Sequence, residues 1–286
     1  MAEIIDAQAV SEPGALTDRL EEGDLILFTD RPFEVAPEES HLISPDIFSG
    51  GSKNASYDAS SGRMGGVSLE DEDLKRLSDM MARYADFAKD LLATCAPTYA
   101  AKADRRRTSF RPGEVSTRVL SPRKDDRRLH VDAFPSNPTQ GRRILRVFTN
   151  VHPEGRERVW RIGGHRFADF AQGFRPKLKS PPPPVILAGM EALKITRGRR
   201  TAYDDAMLQL HDMAKLDDEF QADTPQATIS LPAGASWIVY TDSVLHAAMA
   251  GQHLFEQTFL LDPDAMSRPE LSPVRTLERL LGTRMI

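Results

Sequence analysis

Residues 127–135 read Arg-Arg-Leu-His-Val-Asp-Ala-Phe-Pro, so that His130 and Asp132 lie one residue apart. Side chains along a β-strand alternate between its two faces, and a His and an Asp at this spacing therefore leave a strand end on the same side. An imidazole nitrogen and a carboxylate oxygen can then contact one metal ion. A surface ion pair is the ordinary alternative for an isolated His-x-Asp, and a metal site needs a third ligand from elsewhere.

The best candidate for that third ligand is His246, which interrupts an apolar strand pattern in Ser243-Val244-Leu245-His246-Ala247. Two histidines and one carboxylate on one face of an octahedron leave three positions open, which suits non-haem Fe(II) and its co-substrates. The sequence therefore predicts an iron-dependent oxygenase that holds its metal with His130, Asp132 and His246. His253 is the strongest rival, although Gly251 should turn it away from the site.

The chain has 286 residues and an ordinary globular composition. Its one cysteine, Cys95, excludes an internal disulfide and fits a reducing compartment. The N-terminal residues are acidic and do not resemble a signal peptide, and no apolar run is long enough to span a membrane. We expect a soluble, cytoplasmic protein of bacterial type without a transmembrane segment.

Charge is distributed unevenly along the chain. Residues 105–200 contain 23 Lys and Arg against 8 Asp and Glu, a net charge of +15, whereas the remainder carries −20. Ordinary solvated surface is one explanation, and a basic face for an anionic substrate or an acidic surface is the other. No nucleic acid partner is expected, because no RNA-binding, zinc-finger or helix-turn-helix motif accompanies the charge.

Apolar and β-branched segments predict many strands on both sides of the proposed site. The predicted strands cover residues 24–28, 115–120, 142–151, 158–162, 228–231, 236–240, 244–250 and 253–261. Gly251-Gln252 predicts a hairpin between the last two. Residues 45–66, rich in Ser, Gly and Asn, predict a long loop near the substrate.

Two amphipathic helices are predicted at about 69–96 and 201–220, with Ser68 and Thr201 as their N-caps, and a short final helix at 274–281. Cys95 falls on the apolar stripe of the first helix and should be buried. Four prolines at 181–184 predict a short, stiff connector of polyproline II conformation.

This pattern favours a mainly β fold with flanking helices. The strands are too many for one flat sheet, whereas a double-stranded β-helix, or jelly roll, places two sheets face to face around an open mouth. We predict a jelly-roll core at about 107–262 inside a single domain that covers residues 1–286, with the two long helices packed outside. His130 and His246 would then lie on different strands across the mouth.

Arg146 lies inside the apolar strand predicted at 142–151. A buried guanidinium must find an anion, and it matches a carboxylate through two parallel hydrogen bonds. The distal carboxylate of 2-oxoglutarate is a natural partner. Alternatively, Arg146 points outward or pairs with Asp132 or another structural acid. Arg143 has the opposite strand parity, so only one of the two arginines should face the site.

These segments resemble the Fe(II)/2-oxoglutarate-dependent dioxygenases. The resemblance rests on His130-Val-Asp132, on the strand Arg-Ile-Leu-Arg-Val-Phe-Thr-Asn that carries Arg146, and on Asp242-Ser-Val-Leu-His246. Residues 51–57 and 106–160 are more narrowly similar to the 3-deoxy-D-manno-oct-2-ulosonic acid (Kdo) 3-hydroxylases. One departure concerns the co-substrate: many superfamily members carry its arginine about ten residues after the last His, where this chain has Glu256 and Gln257.

The resemblance implies an enzyme that uses Fe(II), 2-oxoglutarate and O2. It implies hydroxylation at C3 of Kdo in lipopolysaccharide precursors, where Kdo is attached to phosphorylated lipid A, giving D-glycero-D-talo-oct-2-ulosonic acid. His130, Asp132 and His246 would hold the iron, and Arg146 would bind 2-oxoglutarate. Basic and aromatic residues of the positive half are candidate substrate contacts: Arg111, Arg118, Arg127, Trp160 and Arg161.

A lipid-linked acceptor predicts peripheral contact with an anionic membrane surface. The apolar run Val185-Ile186-Leu187, beside Lys177 and Lys179, is either part of that contact or a buried strand. The expected location is the cytoplasm, at the inner membrane. Two rival functions remain open: another 2-oxoglutarate oxygenase acting on a small molecule or protein residue, and a non-catalytic jelly roll that binds an acidic sugar.

Overall fold

The computed structural model describes residues 2–12, 14–117 and 120–286. Within these ranges the chain forms eleven strands. They are β1 (Ile4–Asp6), β2 (Leu25–Phe28), β3 (Ala55–Asp58), β4 (Arg63–Gly65), β5 (Asp104–Arg111), β6 (Arg143–Asn150), β7 (Arg158–Gly163), β8 (Gln226–Leu231), β9 (Ser236–Tyr240), β10 (His246–Ala250) and β11 (Leu254–Leu261).

Two sheets face each other. The larger has eight strands in the order β1-β2-β9-β6-β11-β5-β3-β4, and the smaller has three in the order β10-β7-β8. Strand β6 is central in the larger sheet, where it pairs antiparallel with β9 on one side and β11 on the other. Side chains that point inward from β6 therefore enter the space between the sheets.

The inner faces of the sheets share an apolar core. Phe148 of β6, Trp160 of β7 and Trp237 of β9 contact one another there, with ring centroids 5.0–5.4 Å apart. Leu145 and Val147, which have the other parity on β6, belong to a separate core on the outer face of the larger sheet. This alternation places Arg146 on the same inner face as Phe148.

Eight helices surround the sheets in the described part of the chain: α1 (Ala15–Glu22), α2 (Asp71–Cys95), α3 (Pro97–Ala100), α4 (Phe167–Phe174), α5 (Pro184–Ala192), α6 (Ala202–Leu216), α7 (Asp218–Asp223) and α8 (Pro273–Leu281). The apolar stripe of α2 covers the outer face of the larger sheet, and Cys95 is buried on it as predicted. A third core joins α4, α6 and α8 to Val131 and Leu245, which neighbour the predicted metal ligands. None of the helices in the described ranges is both long and apolar enough to cross a membrane.

The prediction of two facing sheets flanked by helices is confirmed, and so are strands β2, β6, β7, β8 and β9 near their expected positions. The hairpin at Gly251-Gln252 is wrong. β10 pairs with β7 in the smaller sheet, whereas β11 pairs with β5 and β6 in the larger one. Gly251 and His253 both adopt positive φ angles, 115° and 51°, as the chain crosses from one sheet to the other.

Three further local predictions are corrected. Residues 115–117 form a bend and a turn rather than a strand, residue 120 belongs to no regular element, and 118–119 lie outside the described residues. The loop predicted at 45–66 contains β3 and β4, which extend the larger sheet through β5. Helix α2 begins later than expected, with Glu70 rather than Ser68 as its N-cap.

The second long helix is interrupted. Thr201 caps α6 in a capping box with Asp204, as predicted, but α6 ends at Leu216 and α7 begins after Asp217, which caps it. The connector predicted at 181–184 ends at Pro183, because Pro184 is the first residue of α5. The apolar run at 185–187 is therefore helical rather than a strand. Proline is readily accommodated in the first turn of a helix, where its missing N–H has no partner to lose.

Candidate functional site

His130 and His246 are joined directly through their backbones. Each donates its N–H to the carbonyl of the other, at 3.1 and 3.0 Å, in an isolated antiparallel bridge beside β10. The backbone of Asp132 donates to the carbonyl of Thr241 at 2.7 Å, just before the turn that leads into β10. The His-x-Asp segment is therefore held against the strand that supplies the second histidine.

The three side chains converge. Nε2 of His130 lies 3.8 Å from one oxygen of Asp132, and Nε2 of His246 lies 4.0 Å from the other. One ligand atom from each residue falls within a common span of 4.8 Å. Among the described residues this is the one group of His, Cys, Asp or Glu side chains with such spacing. Its donor set, two imidazoles and one carboxylate, fits a non-haem Fe(II) ion.

Both imidazoles are oriented by backbone carbonyls. Nδ1 of His130 donates to the carbonyl of Arg128 at 2.8 Å, and Nδ1 of His246 donates to that of Val244 at 2.9 Å. A proton held at Nδ1 leaves the lone pair of Nε2 free to coordinate a metal. The aromatic face of Trp160 stacks on His246, with ring centroids 5.4 Å apart and an interplanar angle of 26°.

The electrostatics keep the ligands in their metal-binding protonation states. Burial lowers the pKa of both histidines below the ordinary value, so they stay neutral. Burial alone would raise the pKa of Asp132, but the positive charge of Arg146, the two imidazoles and a hydrogen bond from Thr241 together outweigh it and lower that pKa below its usual range. A neutral imidazole pair and a charged carboxylate are the forms that bind a metal ion.

Arg146 lies beside the cluster on the inner face of β6. Its Nη1 is 3.2 Å from Asp132 and 3.5 Å from Glu256 of β11. Glu256 is also 2.9 Å from Nη2 of Arg111 on β5. Three neighbouring strands thus place two arginines and a buried glutamate next to the candidate metal ligands. In the sequence, Glu256 is marked only as a position that lacks the superfamily's usual arginine.

Arg143 points to the other side of β6, as its parity predicted. Its guanidinium binds both carboxylate oxygens of Asp242 at 2.9 and 3.0 Å, and it lies 3.7 Å from the ring centre of Tyr240. Asp242 also accepts the backbone N–H of Ile144. This fully buried pair fixes the turn between β9 and β10 that precedes His246.

The cluster opens into a cavity of about 190 Å³ between the two sheets. Its charged lining consists of three arginines and three carboxylates: Arg111, Arg146, Arg158, Asp126, Asp132 and Glu256. This volume is below the range of about 300–1,000 Å³ for pockets that enclose drug-sized ligands. A small dicarboxylic acid fits such a space, whereas a large glycolipid must extend beyond it.

The predicted substrate contacts separate into groups. Arg111 and Trp160 line the cavity. Arg127 instead binds Asp125 through two hydrogen bonds, and Arg161 contacts Met249 and the carbonyl of Arg127 outside the cavity. Arg118 lies outside the described residues.

Besides Glu256, two charged residues of the cavity were missed. Arg158 shares strand parity with Trp160, a signal that favours it over Arg161 as an inward-facing residue. Asp126 lies in the turn before His130, and no periodic pattern marks it. Among the rejected ligand candidates, His253 packs against His152, with ring centroids 4.7 Å apart, and takes no part in the cluster.

Comparison with known proteins gives consistent results. The sequence model of the 3-deoxy-D-manno-oct-2-ulosonic acid (Kdo) hydroxylase family matches residues 5–284. A solved apo structure of the Kdo hydroxylase KdoO, described as a non-haem Fe(II) α-ketoglutarate dependent dioxygenase, is 41% identical, with a TM-score of 0.92 and coverage of 100% of this chain and 98% of that one. Curated proteins gave no match.

Two further structures of KdoO carry ligands. The complex with cobalt(II) is 42% identical with a TM-score of 0.93, and the complex with α-ketoglutarate and Fe(III) is 41% identical with a TM-score of 0.92. Each alignment covers 99% of this chain and 97% of the other. The matches in sequence and in structure both extend over nearly the whole chain, and the chain therefore belongs to the Kdo hydroxylase family.

Proposed function

We propose that this chain hydroxylates Kdo in a reaction that depends on Fe(II), 2-oxoglutarate and O2. The observation that carries the proposal is the convergence of His130, Asp132 and His246, with both Nδ1 atoms committed to backbone carbonyls. Bound at these residues, iron would couple the oxidation of 2-oxoglutarate by O2 to hydroxylation of a C–H bond.

The protein's own residues hold and orient the reactants. Arg146 is the proposed partner of the distal carboxylate of 2-oxoglutarate, since it is buried, faces the cavity and lies beside Asp132. The three arginines and three carboxylates of the lining balance in formal charge. A dication at the ligands and a dianion beside Arg146 would preserve that balance, so the two should bind favourably together.

Trp160 and Phe148 form an apolar wall beside the ligands, and both are buried. Such a wall limits the access of water to the reacting atoms. Arg111 and Trp160 remain proposed contacts for the sugar, because both line the cavity. The side chain of Arg127 binds Asp125, and that of Arg161 binds the carbonyl of Arg127. Because neither side chain lines the cavity, we propose a supporting role for both.

Mass spectrometry tests this function. Purified protein is incubated with Kdo-lipid A, Fe(II), 2-oxoglutarate and O2, and the product should gain one oxygen atom, placed at C3 by fragmentation or NMR. Omission of 2-oxoglutarate and the His246→Ala variant serve as controls. Succinate release without a modified sugar would point to another acceptor, and a protein that holds no iron would support the non-catalytic rival.

For the natural substrate we propose Kdo attached to a lipid A precursor, met at an anionic membrane surface. Helix α5 supports this proposal. Its side chains Val185 and Ile186 are 76% and 52% exposed, and Leu193 and Ile195 just after it are 75% and 56% exposed. Soluble surfaces seldom expose so many large apolar groups together.

Positive charge surrounds this apolar segment. Residues 175–200 contain seven Lys and Arg against one acid, Glu191. An apolar helix flanked by cations suits the interface of an anionic membrane, where each nearby basic residue contributes about 1 kcal/mol. We therefore place the enzyme in the cytoplasm, at the inner membrane, with α5 at the lipid surface.

A sedimentation assay tests the membrane contact. Val185→Asp with Ile186→Asp should abolish binding to vesicles that contain anionic lipid, and added salt should weaken binding of the unchanged protein. Leu216→Asp is a matched control, because Leu216 is an exposed leucine at the end of a different helix, α6. Equal rates on free and lipid-linked Kdo, without salt dependence, would contradict the lipid-linked substrate.

A further inference from the structure

Asp126 is a carboxylate inside the cavity that the metal site does not use. It lies in the turn that leads to His130, and its carbonyl accepts the N–H of Ala248, two residues beyond His246, at 2.8 Å. Its side chain lines the same cavity as both histidines. It is nevertheless not part of the ligand cluster found among the described residues. A carboxylate that lines the cavity without belonging to the ligand cluster needs another role.

Lys215 of α6 forms an ion pair with this carboxylate. Its Nζ lies 2.9 Å from Oδ1 of Asp126. The lysine side chain is only 2% exposed, whereas that of Asp126 is 44% exposed. Burial of a lysine is costly and an ion pair recovers only part of that cost, so this pair is a poor device for stability. It does, however, fix one oxygen and leave the rest of the carboxylate accessible.

The pairing determines what Asp126 can bind. Burial alone would raise the pKa of Asp126, but the charge and hydrogen bond of Lys215 and the nearby charges, Arg111 among them, together outweigh it and the pKa falls to about 2, so the group is ionised. An ionised carboxylate accepts hydrogen bonds and donates none. Because Lys215 neutralises its charge, Asp126 repels an anionic substrate little and still attracts a hydroxyl group.

The neighbouring charges complete the argument. Arg111 and Arg158 line the same cavity and suit the carboxylate of an acidic sugar, whereas Asp126 suits its hydroxyl groups. We propose that Asp126, held by Lys215, is a binding subsite for a hydroxyl group of the sugar and sets which C–H bond faces the metal. This inference rests on the proposed function and adds to it the residue that orients the acceptor.

Substitution at Asp126 tests the subsite. Asp126→Ala removes the acceptor, and Asp126→Asn keeps the shape and an oxygen for Lys215. Loss of a hydrogen bond to a charged group should lower kcat/KM for the Kdo substrate by roughly 10- to 150-fold in Asp126→Ala. The ratio of hydroxylated sugar to succinate should also fall, because a misplaced C–H bond leaves 2-oxoglutarate oxidation uncoupled. Cobalt(II) and 2-oxoglutarate affinities, measured by calorimetry, should stay within about threefold of the unchanged protein.

Asp79→Asn is the matched control, because Asp79 forms an ion pair with Lys75 on the exposed surface of α2. It should change none of these quantities. At Lys215, Lys215→Met should reduce coupling and Lys215→Arg should restore part of it, since only the arginine keeps a cation for Asp126. A purely structural lysine would change the unfolding midpoint without changing the ratio of products.

The outcomes separate this inference from the proposed function. If the unchanged protein forms no hydroxylated Kdo, the proposed function fails. If it does, and Asp126→Ala keeps both kcat/KM and coupling, the subsite alone is refuted. A fall in cobalt affinity as steep as the fall in turnover would also refute it, because Asp126 would then belong to the metal site.

Discussion

Strand β6 buries two arginines three positions apart, Arg143 and Arg146, and their surroundings differ. Arg143 is closed in: both oxygens of Asp242 bind it, Ser243 accepts a further hydrogen bond at 2.8 Å, and Tyr240 covers its face. Arg146 faces the cavity, shares Asp132 with the metal site and shares Glu256 with Arg111.

The hydrogen bonds sharpen this difference. Nε of Arg146 and one oxygen of Asp132 are buried without a hydrogen-bond partner, whereas the Arg143 pair leaves neither Asp242 oxygen without one. Buried polar groups are normally satisfied, and an unsatisfied group that borders a cavity can take its missing partner from a ligand or water. The comparison teaches that burial alone does not distinguish a structural arginine from a functional one. Unpaired atoms that border the cavity distinguish Arg146, the proposed partner of 2-oxoglutarate, from Arg143.

The largest expected effect concerns the closed pair, Arg143 and Asp242. Arg143→Met leaves Asp242 charged and buried, which should lower the free energy of unfolding by about 3–5 kcal/mol. Arg146→Met should cost less, because Glu256 keeps Arg111 and Asp132 borders the cavity. Urea unfolding with an unchanged m-value measures both. Equal losses would show that the two pairs do not differ in structural role.

The next effect concerns Arg146, which faces the cavity. Arg146→Ala should raise the concentration of 2-oxoglutarate required for half-maximal turnover by roughly 10- to 150-fold, the equivalent of about 1.5–3 kcal/mol for a charge-assisted pair. Bound iron, measured by elemental analysis, should persist, whereas His246→Ala should lose it and His253→Ala should not. An unchanged 2-oxoglutarate requirement would indicate that Arg111 or Arg158, rather than Arg146, binds the distal carboxylate of 2-oxoglutarate.

A smaller effect is expected from pH. Because burial lowers the pKa of His130 and His246 in the folded state, their neutral forms contribute stability above the unfolded value of about 6.5. That contribution is lost as the pH falls from about 6.5 towards the folded values, at up to about 1.4 kcal/mol per unit and per histidine. The metal-free protein should show this loss in urea titrations.

His246→Gln provides the control for the pH experiment. Burial also lowers the pKa of His152 and His253, so this variant should reduce the slope below pH 6.5 by about a quarter if the four histidines contribute equally. The depressed pKa of Asp132 acts in a separate window: its contribution is present above the unfolded value of about 3.9 and is lost only at lower pH. A flat profile between pH 5 and 6.5 would contradict the assignment to the histidines.

The smallest expected effect comes from neutralising the acidic partner of each arginine, Glu256 beside Arg146 and Asp242 beside Arg143. Glu256→Gln removes a competitor for Arg146 and should tighten 2-oxoglutarate binding by about two- to fivefold, or roughly 0.4–1 kcal/mol. In the closed pair the same kind of change, Asp242→Asn, should only destabilise the fold. Calorimetry of 2-oxoglutarate binding to the cobalt-loaded protein measures the first change, and weaker binding in Glu256→Gln would show that Glu256 assists Arg146.

Local patterns predicted much of this molecule because the forces behind them are local. The His-x-Asp spacing and the isolated His246 identified the residues that converge, and parity separated Arg143 from Arg146. The Thr201 and Asp204 capping box also needs only a few neighbouring residues. Each of these patterns depends on the geometry of one strand or one helix end.

The missed features depend on tertiary partners. Gly251 turns the chain between sheets rather than within one, which a pair of apolar runs does not reveal. Glu256, Asp126 and Lys215 acquire their roles from partners on other strands or helices that lie far away in sequence. Without those partners, each residue is an ordinary surface charge.

The mutual backbone hydrogen bonds of His130 and His246 have a consequence for the order of folding. Residues so distant in sequence meet only after a long loop has closed, and the entropy of closure delays such contacts. The ligands are then spaced by the backbone, so a metal ion does not have to gather them as it does in a zinc finger. We expect cobalt(II) to slow unfolding while leaving the refolding rate unchanged in stopped-flow measurements, since an ion that binds only the completed site acts after the rate-limiting step. Refolding that accelerates with added cobalt would instead mean that the ion helps the two halves of the jelly roll to find each other.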